Sequence, residues 1–399
     1  MRILVISHYY WPENFKINDL VNYLSKKNEI TVLTGYPSYP NKDIFRKTNI
    51  RKNFKNIKII RVPVIKRGNN RYSIFFNYLS FLISLSTIGL IKLTKKKYDL
   101  ILVFGTSPPT VMIPAILVAK LKKIKIAFWV LDLWPETLTS INIIKNKLLI
   151  KIIRYYVKYI YNASNLIFAQ SKAFVDQIKK YCKDKNKIIY YPTWSDSVNR
   201  NKKKFKLFPF KKNFFYITFT GNLGEAQDFE NIIKSAEMTR HIKKLKWLIV
   251  GDGSKYEWLK FEIKKRELND RFILTGNLSS KFIPSILNNS NCLLISLKKG
   301  GIDKFTIPGK LSNYMMAKKP ILGMIEGETY NIIVKSKCGL VCKSGDFKSL
   351  SKNVYRIINY SKEKKRKMGL NGFNYANKNF NRVKQLKKSL FYLNQISKS

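Results

Sequence analysis

The chain has 399 residues and 45% of them are hydrophobic, which excludes intrinsic disorder and predicts two domains with a core each. The formal net charge of +52 favours anionic partners such as nucleic acid, acidic lipid headgroups or phosphorylated ligands. The charge divides evenly, +25 over residues 1–200 and +27 over residues 201–399, so solvated lysines account for most of it and no single face is marked.

The cysteines indicate a reduced, intracellular protein. The four thiols have no paired Cys-x-x-Cys spacing, and two histidines cannot complete a metal site with them. Cys292 lies in an apolar run and is predicted to be a small core residue. The apolar run at the N-terminus, Ile3–Ile6, is too short for a signal peptide and predicts a buried strand.

The first half of the chain alternates short apolar runs with segments of helical period. Continuous apolar strands joined by helices predict a parallel sheet that is covered on both faces. The predicted strands are Ile3–Ile6, Ile30–Leu33, Ile57–Val62, Leu100–Phe104, Ile126–Val130 and Leu166–Ala169.

The second half repeats this pattern after a linker rich in Pro, Asn, Ser and Lys. Its predicted strands are Phe215–Thr220, Trp247–Val250, Phe272–Leu274, Cys292–Ile295 and Pro320–Gly323. We therefore predict an α/β protein with two tandem doubly wound, Rossmann-like domains. The predicted boundaries are an N-terminal domain at 1–195, a linker at 196–213, a C-terminal domain at 214–379, and a helix at about 380–399 that returns to the first domain. Such sheets bind ligands beyond the carboxyl ends of their strands, so a cleft between two facing sheets is the expected active site.

The segment Ser73–Ile91 is nineteen residues without a charge, close to the length that spans a bilayer. Its polar residues recur at helical spacing, basic residues flank both ends, and a crossing would separate strands of one sheet. We predict a helix that packs partly on its own domain and partly enters an acidic lipid interface through 72–97. An ordinary buried helix is the alternative interpretation.

Three glycine-bearing turns follow strands in the second half and indicate a nucleotide site. The first, Gly221-Asn222-Leu223-Gly224, runs directly into a helical segment, where backbone amides can approach a diphosphate. The second surrounds Gly253 and the third contains Asn277 and Leu278. A tight strand–helix turn would use such glycines as well, so the series carries more weight than any one turn.

Lys310 follows Pro308 and Gly309 and lies in the first turn of the next predicted helix. A cation there opposes the helix dipole, which is better explained if a phosphate occupies the same place. A solvated lysine is the simpler alternative in so lysine-rich a chain.

Two strand-end loops of the first half mix carboxylates with aromatic residues, as sugar-binding loops do. One contains Asp132, Trp134 and Glu136, and the other runs from His8 through Trp11 and Glu13 to Asn14. Acids bind hydroxyls and an indole stacks on a sugar ring, so these are the candidate sugar-contacting residues. Proline turns with incidental acids are the alternative.

At these motifs the chain resembles the family 4 glycosyltransferases of bacterial O-antigen, capsule and exopolysaccharide assembly, and it is similar to the colanic-acid-type branch that transfers N-acetylated amino sugars. The resemblance rests on five ordered motifs across nearly the whole chain. They are Tyr9-Tyr10-Trp11-Pro12-Glu13-Asn14, Asp132-Leu133-Trp134-Pro135-Glu136, Thr220-Gly221-Asn222-Leu223-Gly224-Glu225-Ala226-Gln227, Thr306-Ile307-Pro308-Gly309-Lys310 and Tyr314-Met315-Met316-Ala317-Lys318-Lys319-Pro320.

The resemblance implies the GT-B fold and retaining transfer of a sugar from a UDP-sugar held mainly by the second domain. It implies a lipid-diphosphate-linked saccharide as acceptor on the first domain, with the protein in the cytoplasm on the inner face of the plasma membrane. No metal and no other cofactor are expected, in agreement with the absence of an Asp-x-Asp pair. No nucleic-acid partner is expected.

The resemblance also implies roles for individual residues. Asp132, Glu136 and Lys310 are the candidate catalytic residues, and the acceptor or sugar would meet His8, Trp11, Glu13, Asn14 and Trp134. The donor diphosphate would contact Gly221, Asn222, Gly224, Gln227 and Lys310, and the nucleoside would contact Gly253, Asn277, Leu278 and Asn313.

The chain departs from the wider family at several of these positions. Phe305 and Asn313 stand where many members have two glutamates, and Leu131 stands where many have histidine. Asn222 and Gln227 replace the Arg and Lys that commonly grip the diphosphate, so its charge must be met by backbone amides and Lys310.

Two other functions fit parts of the sequence. A GT-B-fold UDP-sugar 2-epimerase would share the nucleotide site but has no use for the apolar segment 73–91. A charge-driven membrane or nucleic-acid binding protein would explain the +52 charge, but it predicts basic residues concentrated on one surface.

Overall fold

The computed structural model describes residues 1–38, 54–68, 70–93, 96–140, 144–195, 210–300 and 304–398. Two compact units make up the chain: Met1–Tyr191 together with Val383–Ser399, and Pro192–Arg382. Most of the predicted linker, 196–209, lies outside the described residues.

The first unit is built on a seven-stranded sheet with the order β3-β2-β1-β4-β5-β6-β7, in which each neighbouring pair is parallel. Apolar residues that alternate to both faces of this sheet are buried, because helices cover each face. The strands are β1 Arg2–Ser7, β2 Glu29–Gly35, β3 Ile57–Val62, β4 Leu100–Gly105, β5 Lys125–Val130, β6 Leu166–Ala169 and β7 Ile188–Tyr190.

Seven helices of the described residues connect these strands. They are α1 Lys16–Leu24, α2 Arg71–Ser84, α3 Leu90–Leu93, α4 Met112–Lys122, α5 Glu136–Ser140, α6 Lys147–Ala163 and α7 Lys172–Lys179. A π-helical turn, Leu85–Gly89, joins α2 to α3 into one continuous helical segment. Side chains of Asn70, Asn146 and Ser171 cap α2, α6 and α7 by accepting hydrogen bonds from first-turn amides.

The second unit contains a six-stranded parallel sheet with the order β10-β9-β8-β11-β12-β13. Its strands are β8 Phe215–Thr220, β9 Leu245–Val250, β10 Phe272–Leu274, β11 Cys292–Ser296, β12 Ile321–Met324 and β13 Gly339–Cys342. Its helices are α8 Phe229–Met238, α9 Tyr256–Lys265, α10 Ile283–Asn289, α11 Lys310–Met316, α12 Gly327–Ser336, α13 Phe347–Asn359 and α14 Lys362–Asn379. The predicted architecture of two Rossmann-like parallel sheets is confirmed.

The last helix, α15 Arg382–Lys398, belongs almost entirely to the first unit. Lys388 Nζ donates to the carbonyl of Tyr190 at 2.7 Å, which ties the helix to the end of β7. All four cysteines are buried free thiols.

The helical segment from α2 to α3, Tyr72–Leu93, is long and apolar enough to cross a membrane. An 18-residue stretch of it has a mean hydropathy of 1.8, yet only 22% of that stretch is buried within the fold. Strand β3 precedes the segment and β4 follows it, and both belong to the same sheet. A crossing would place these two strands on opposite sides of a membrane. The segment therefore lies along the first unit, largely uncovered, and is not an ordinary core helix.

Candidate active site

The loop after β8 and the loop after β9 stack backbone on backbone at one edge of the second sheet. Gly221 donates to Val250 O and Leu223 donates to Asp252 O, both at 2.9 Å. Gly251 has φ +143°, and a Cβ added there would lie 1.9 Å from Gly221 O. Glycine at this position is therefore required for the two loops to approach each other.

The predicted diphosphate loop closes on itself at its second glycine. The side chain of Gln227 accepts a hydrogen bond from the amide of Gly224 at 3.0 Å, while its carbonyl accepts from Ser296 Oγ at 2.6 Å. Asn222 is exposed and Gly224 is buried. Gln227 thus shapes the loop from within, and its amide oxygen engages one of the backbone amides that was expected to face the phosphate.

Lys310 reaches the start of this loop from the first residue of α11. Its Nζ lies 3.6 Å from the centroid of the Phe219 ring, and a Cβ added to Gly221 would be 3.3 Å from it. One turn later, Tyr314 OH accepts from the amide of Thr220 at 2.8 Å and fixes α11 against the end of β8. The structure therefore brings Gly221 and Lys310 together.

The ammonium of Lys310 has no hydrogen bond or ion pair to any residue that the structure describes. Its attraction to the Phe219 ring face is the contact that remains. Burial lowers the pKa of Lys310 to about 7, because a charged amine loses its hydration without gaining an anion. The Lys310 ammonium can therefore form an ion pair with a negatively charged ligand.

The predicted nucleoside contacts lie in the loop after β9, in the turn after β10 and on α11. The amide of Gly251 donates to Gly276 O at 3.0 Å, so the turn before Asn277 and Leu278 adjoins the two stacked loops. Asn277 is exposed, and Leu278 packs against a small apolar cluster below the sheet edge. Gly253 lies against the carbonyl of Leu223, which would be 2.5 Å from an added Cβ. Asn313 is half-buried on α11.

In the first unit, the buried carboxylate of Glu13 fixes the loop after β1 through hydrogen bonds to backbone amides. Glu13 is buried, and its carboxylate accepts from the amides of Tyr10 and Ser38 at 3.2 and 2.9 Å. Arg61 of the edge strand β3 donates to the carbonyl of Trp11 at 2.6 Å. Trp11 is half-buried and Asn14 is exposed, so these two predicted residues are accessible.

His8 lies inside the same unit. Its ring is 4.1 Å from that of Phe81 on α2, and its Nε2 is buried without a hydrogen-bond partner. Burial, followed by the charge of Arg67, lowers the pKa of His8 to about 3, so the ring is neutral at pH 7. His8 and Glu13 thus belong to the interior that shapes the loop, while Trp11 and Asn14 form its surface.

The loop after β5 is joined to the loop after β4 through Ser107. Its amide donates to Asp132 Oδ2 at 2.8 Å, and its Oγ accepts from Trp134 Nε1 at 3.0 Å. Burial raises the pKa of Asp132, and the hydrogen bonds from Ser107 oppose that rise. Because β1, β4 and β5 are neighbours in a parallel sheet, all three loops lie at the same edge.

Glu136 begins α5 behind this loop. One carboxylate oxygen accepts from Tyr181 OH at 3.3 Å, and the other, Oε2, is buried without a hydrogen-bond partner. A buried carboxylate oxygen without a hydrogen-bond partner is costly in the resting fold.

Comparison with known proteins assigns part of the chain to a protein family. Residues 199–375, which include the stacked loops and Lys310, match the model of the family described as Glycosyl transferases group 1. This part of the chain is a group 1 glycosyltransferase domain. The protein is accordingly a glycosyltransferase enzyme, and its two parallel-sheet units form the GT-B fold.

Similar proteins carry names from the same class. The chain is 24% identical over 280 residues to WbjE of Pseudomonas aeruginosa, named a probable glycosyltransferase, covering 67% of this chain and 68% of that protein. It is 29% identical over 139 residues to WcaI of Escherichia coli K12, whose name assigns it to colanic acid biosynthesis as a glycosyl transferase, covering 32% of each chain. In structure, Anabaena HepE in complex with UDP-glucose superposes with a TM-score of 0.71 at 13% identity, covering 99% of this chain and 100% of that one.

Two lysines beside the predicted diphosphate loop were not identified from the sequence. Lys298 and Lys255 both bind the carboxylate of Glu225, at 2.7 and 2.8 Å, and both approach Glu230 at longer distance. The amide of Lys298 also donates to Ala226 O at 2.8 Å. No sequence signal separates these two lysines from the many that are merely solvated.

Ser107 is the other residue that was missed. It follows β4 in a Thr-Ser-Pro-Pro run that looks like an ordinary turn, and only the sheet order reveals that it bridges to Asp132 and Trp134. Among the residues that the structure describes, no group of three or more His, Cys, Asp or Glu side chains could hold a metal ion.

Proposed function

We propose that the protein transfers a sugar, an N-acetylated amino sugar, from a UDP-sugar to a lipid-diphosphate-linked saccharide in the synthesis of bacterial surface polysaccharide such as O-antigen, capsule or exopolysaccharide. The transfer retains the configuration at the anomeric carbon and uses no metal. The observation that carries the proposal is the half-buried Lys310 beside Gly221, whose ammonium lies against a ring face and pairs with no anion among the described residues.

The donor diphosphate would rest on the Gly221–Gly224 turn with Lys310 against its charge. Because burial leaves the pKa of Lys310 near 7, an arriving diphosphate would both pair with the ammonium and favour its protonation. Lys298 and Lys255, which Glu225 holds beside the loop, would add positive potential there. The nucleoside would extend towards Asn277, with Asn313 near the ribose. That HepE is known in complex with UDP-glucose supports a nucleotide sugar as donor.

In the reaction, the bond between the anomeric carbon and the diphosphate oxygen breaks while the acceptor hydroxyl forms a bond to the same carbon from the same face. The acceptor proton passes to the leaving diphosphate oxygen, so no protein nucleophile is needed. The charge that grows on the leaving group is met by backbone amides and by Lys310, which act most strongly when water is excluded. Asp132 and Glu136 would position the sugars and stabilise the positive charge that develops on the transferred ring.

The acceptor would meet the loops after β1, β4 and β5. Trp11, Asn14 and Trp134 offer ring faces and an amide, and Glu136 lies behind them at the start of α5. The name of WcaI, with its colanic acid assignment, supports a surface polysaccharide as the product. We place the enzyme in the cytoplasm, peripheral on the inner face of the plasma membrane, through the apolar segment within 72–97.

The test is a transfer assay with radiolabelled UDP-sugars and polyprenyl-diphosphate-linked saccharides dispersed in detergent, with and without EDTA. We expect label in the lipid product from one UDP-N-acetylhexosamine, unchanged by EDTA, with retention shown by the anomeric NMR coupling. Lys310→Met should reduce turnover by about 100-fold or more, the size of effect seen when one transition-state charge partner is removed.

Lys364→Met is the matched control, because Lys364 Nζ lies 3.5 Å from the Tyr360 ring centroid, a similar cation–π contact elsewhere in the second unit. Normal turnover of the Lys310 variant would remove this lysine from the phosphate site. Absence of transfer from every nucleotide sugar would contradict the proposed function itself.

A further inference from the structure

Three helical segments lie side by side on one face of the first sheet. The connections β3 to β4, β4 to β5 and β5 to β6 all move in the same direction along the strand order. Right-handed crossovers therefore place the segment from α2 to α3, helix α4 and helix α6 on the same face. Contacts of α4 with the π-helical turn and with α6 make them neighbours.

The first of these segments turns its polar stripe inward and its apolar stripe outward. Asn77 is buried and donates to Ile65 O at 2.6 Å, and Ser80 Oγ accepts from the amide of Ile65 at 2.9 Å. The outer stripe is instead large and apolar, with exposed fractions from 37% to 78%, at Tyr72, Phe75, Phe76, Leu79, Ile83, Ile88 and Ile91. Asn77 and Ser80 thus attach this segment to the chain around Ile65.

Helix α6 repeats this arrangement at the other end of the face. Its residues Leu148, Ile152, Tyr155 and Tyr159 are 50% to 67% exposed and recur at spacings of four, three and four, one side of a helix. Val157 and Ile160 bury the opposite side. Between the two segments, Leu117 and Leu121 of α4 are 40% and 77% exposed, so apolar side chains continue across all three elements.

The charges on this face have one sign. The sequences of α2, the π-helical turn, α3, α4 and α6 contain no Asp or Glu. On α6 a second stripe, also spaced four, three and four, runs directly beside the apolar one and consists of the exposed cations Lys147, Lys151, Arg154 and Lys158. An apolar stripe flanked by cations is the pattern of helices that lie in the plane of an anionic lipid interface.

A basic groove of about 580 Å³ opens at the end of the same face, beside α3. Lys58, Arg61, Lys92 and Lys96 line it together with Tyr36 and two isoleucines of β3. Burial, and then the nearness of Lys58, lowers the pKa of Lys96, which shows how closely the cations are placed. Cations crowded in this way are stabilised by phosphate groups in contact with them.

We propose that α4 and α6 join the 71–93 segment in a single docking face for an anionic phospholipid bilayer, with the apolar stripes in the acyl boundary and the cations among the headgroups. This rests on the membrane contact in the proposed function and extends it from one segment to three. A second copy of the chain fits the face poorly, because two such faces would oppose like charges over their whole area.

The experiment uses the full chain and vesicles of phosphatidylcholine alone or with about a third phosphatidylglycerol, with binding measured by co-flotation. The test variant is Leu148→Ser, Ile152→Ser and Tyr155→Ser together. The matched control is Phe261→Ser, Val334→Ser and Tyr355→Ser, three residues of the second unit that are 62%, 51% and 58% exposed. All six side chains are at the surface, so both variants should fold.

We expect wild-type protein to bind the anionic vesicles and not the neutral ones, the test variant to bind about tenfold less, and the control variant to bind as wild type. Equal binding by the test variant and wild type would overturn the proposal. If the α6 variant binds as wild type does but Phe75→Ser with Ile83→Ser abolishes binding, then the 71–93 segment alone contacts the membrane.

Two further measurements separate the proposal from its alternatives. Transfer to a detergent-dispersed acceptor should be the same for the test variant and the wild type. Wild-type protein that binds the anionic vesicles but transfers no sugar would count against the proposed function and not against the docking face. Sedimentation velocity without lipid should show the same species for wild type and variant. A dimer that the α6 substitutions dissociate would make a second copy the occupant and overturn the proposal.

Discussion

At the scale of single residues, the sequence indicated which types of side chain would be present and could not indicate which way they face. His8, Trp11, Glu13 and Asn14 form one mixed polar and aromatic run, typical of a sugar-binding loop. The fold divides it, with His8 and Glu13 buried and Trp11 and Asn14 accessible. This division depends on partners distant in sequence, such as Phe81 and Ser38, and no local pattern encodes them.

Lys310 gives the sharpest prediction at this scale. With its pKa near 7 the free enzyme holds this amine mostly neutral at pH 8, and a bound diphosphate should protonate it. Calorimetry of UDP binding at pH 8, in buffers of different ionisation enthalpy, should therefore show uptake of about one proton per UDP. At pH 6 the amine is already charged, and uptake through it should vanish.

The Lys310→Met variant should lose the uptake at pH 8, and Lys364→Met should keep it. Affinity for UDP should also fall as the pH rises above 7 in the wild type, because protonation then has to accompany binding. Uptake that persists in the methionine variant would assign the proton to another group.

At the scale of elements, the predicted strands all overlap strands of the structure, because a continuous apolar run between helical segments is a strong signal. The two that were missed, β7 and β13, are the short strands at the edges of their sheets. Edge strands are covered on fewer sides, and the residues of Ile188–Tyr190 and Gly339–Cys342 are largely half-buried, so no long apolar run marks them. The loops that contain the predicted site residues do follow strands, while the bridges made by Ser107 and Gln227 required the strand order.

The stacked glycine loops carry a prediction at this scale. Gly251→Ala should destabilise the second unit by on the order of 3 kcal/mol, because its φ of +143° and the carbonyl of Gly221 leave no room for a Cβ. The measurement is the unfolding midpoint in calorimetry. Gly309→Ala is the control, since an added Cβ there meets nothing within 4 Å, and it should unfold as the wild type does. Equal midpoints for the two variants would show that the loops can separate without cost.

At the scale of the whole molecule, part of the positive charge lies on one face of the first sheet, which a comparison of the two halves of the sequence did not reveal. The +52 charge divides evenly along the chain, which argued against a basic surface. Folding nevertheless collects three acid-free helical segments on one sheet face, because crossover connections of one handedness bring segments distant in sequence side by side. Sequence position is therefore a poor guide to surface charge in a doubly wound fold.

The fold itself follows from patterns that act over the whole chain, and for that reason it was the most predictable level. Alternating strands and helices define two parallel sheets, and the group 1 glycosyltransferase domain falls on the second of them. In the proposed site, the identity of the donor nucleotide would depend instead on a few contacts at the ends of β8, β9 and β10.

The central claim is a specific nucleoside-diphosphate site in the second unit. Thermal unfolding with UDP, GDP, dTDP and inorganic pyrophosphate at equal concentration and moderate salt tests it most directly. A ligand that binds only the folded state raises the midpoint according to its concentration relative to its dissociation constant. We predict that UDP raises the midpoint clearly more than the other three do. Equal shifts with all four, or no shift with any, would contradict the claim and leave a general attraction of polyanions to a highly basic protein.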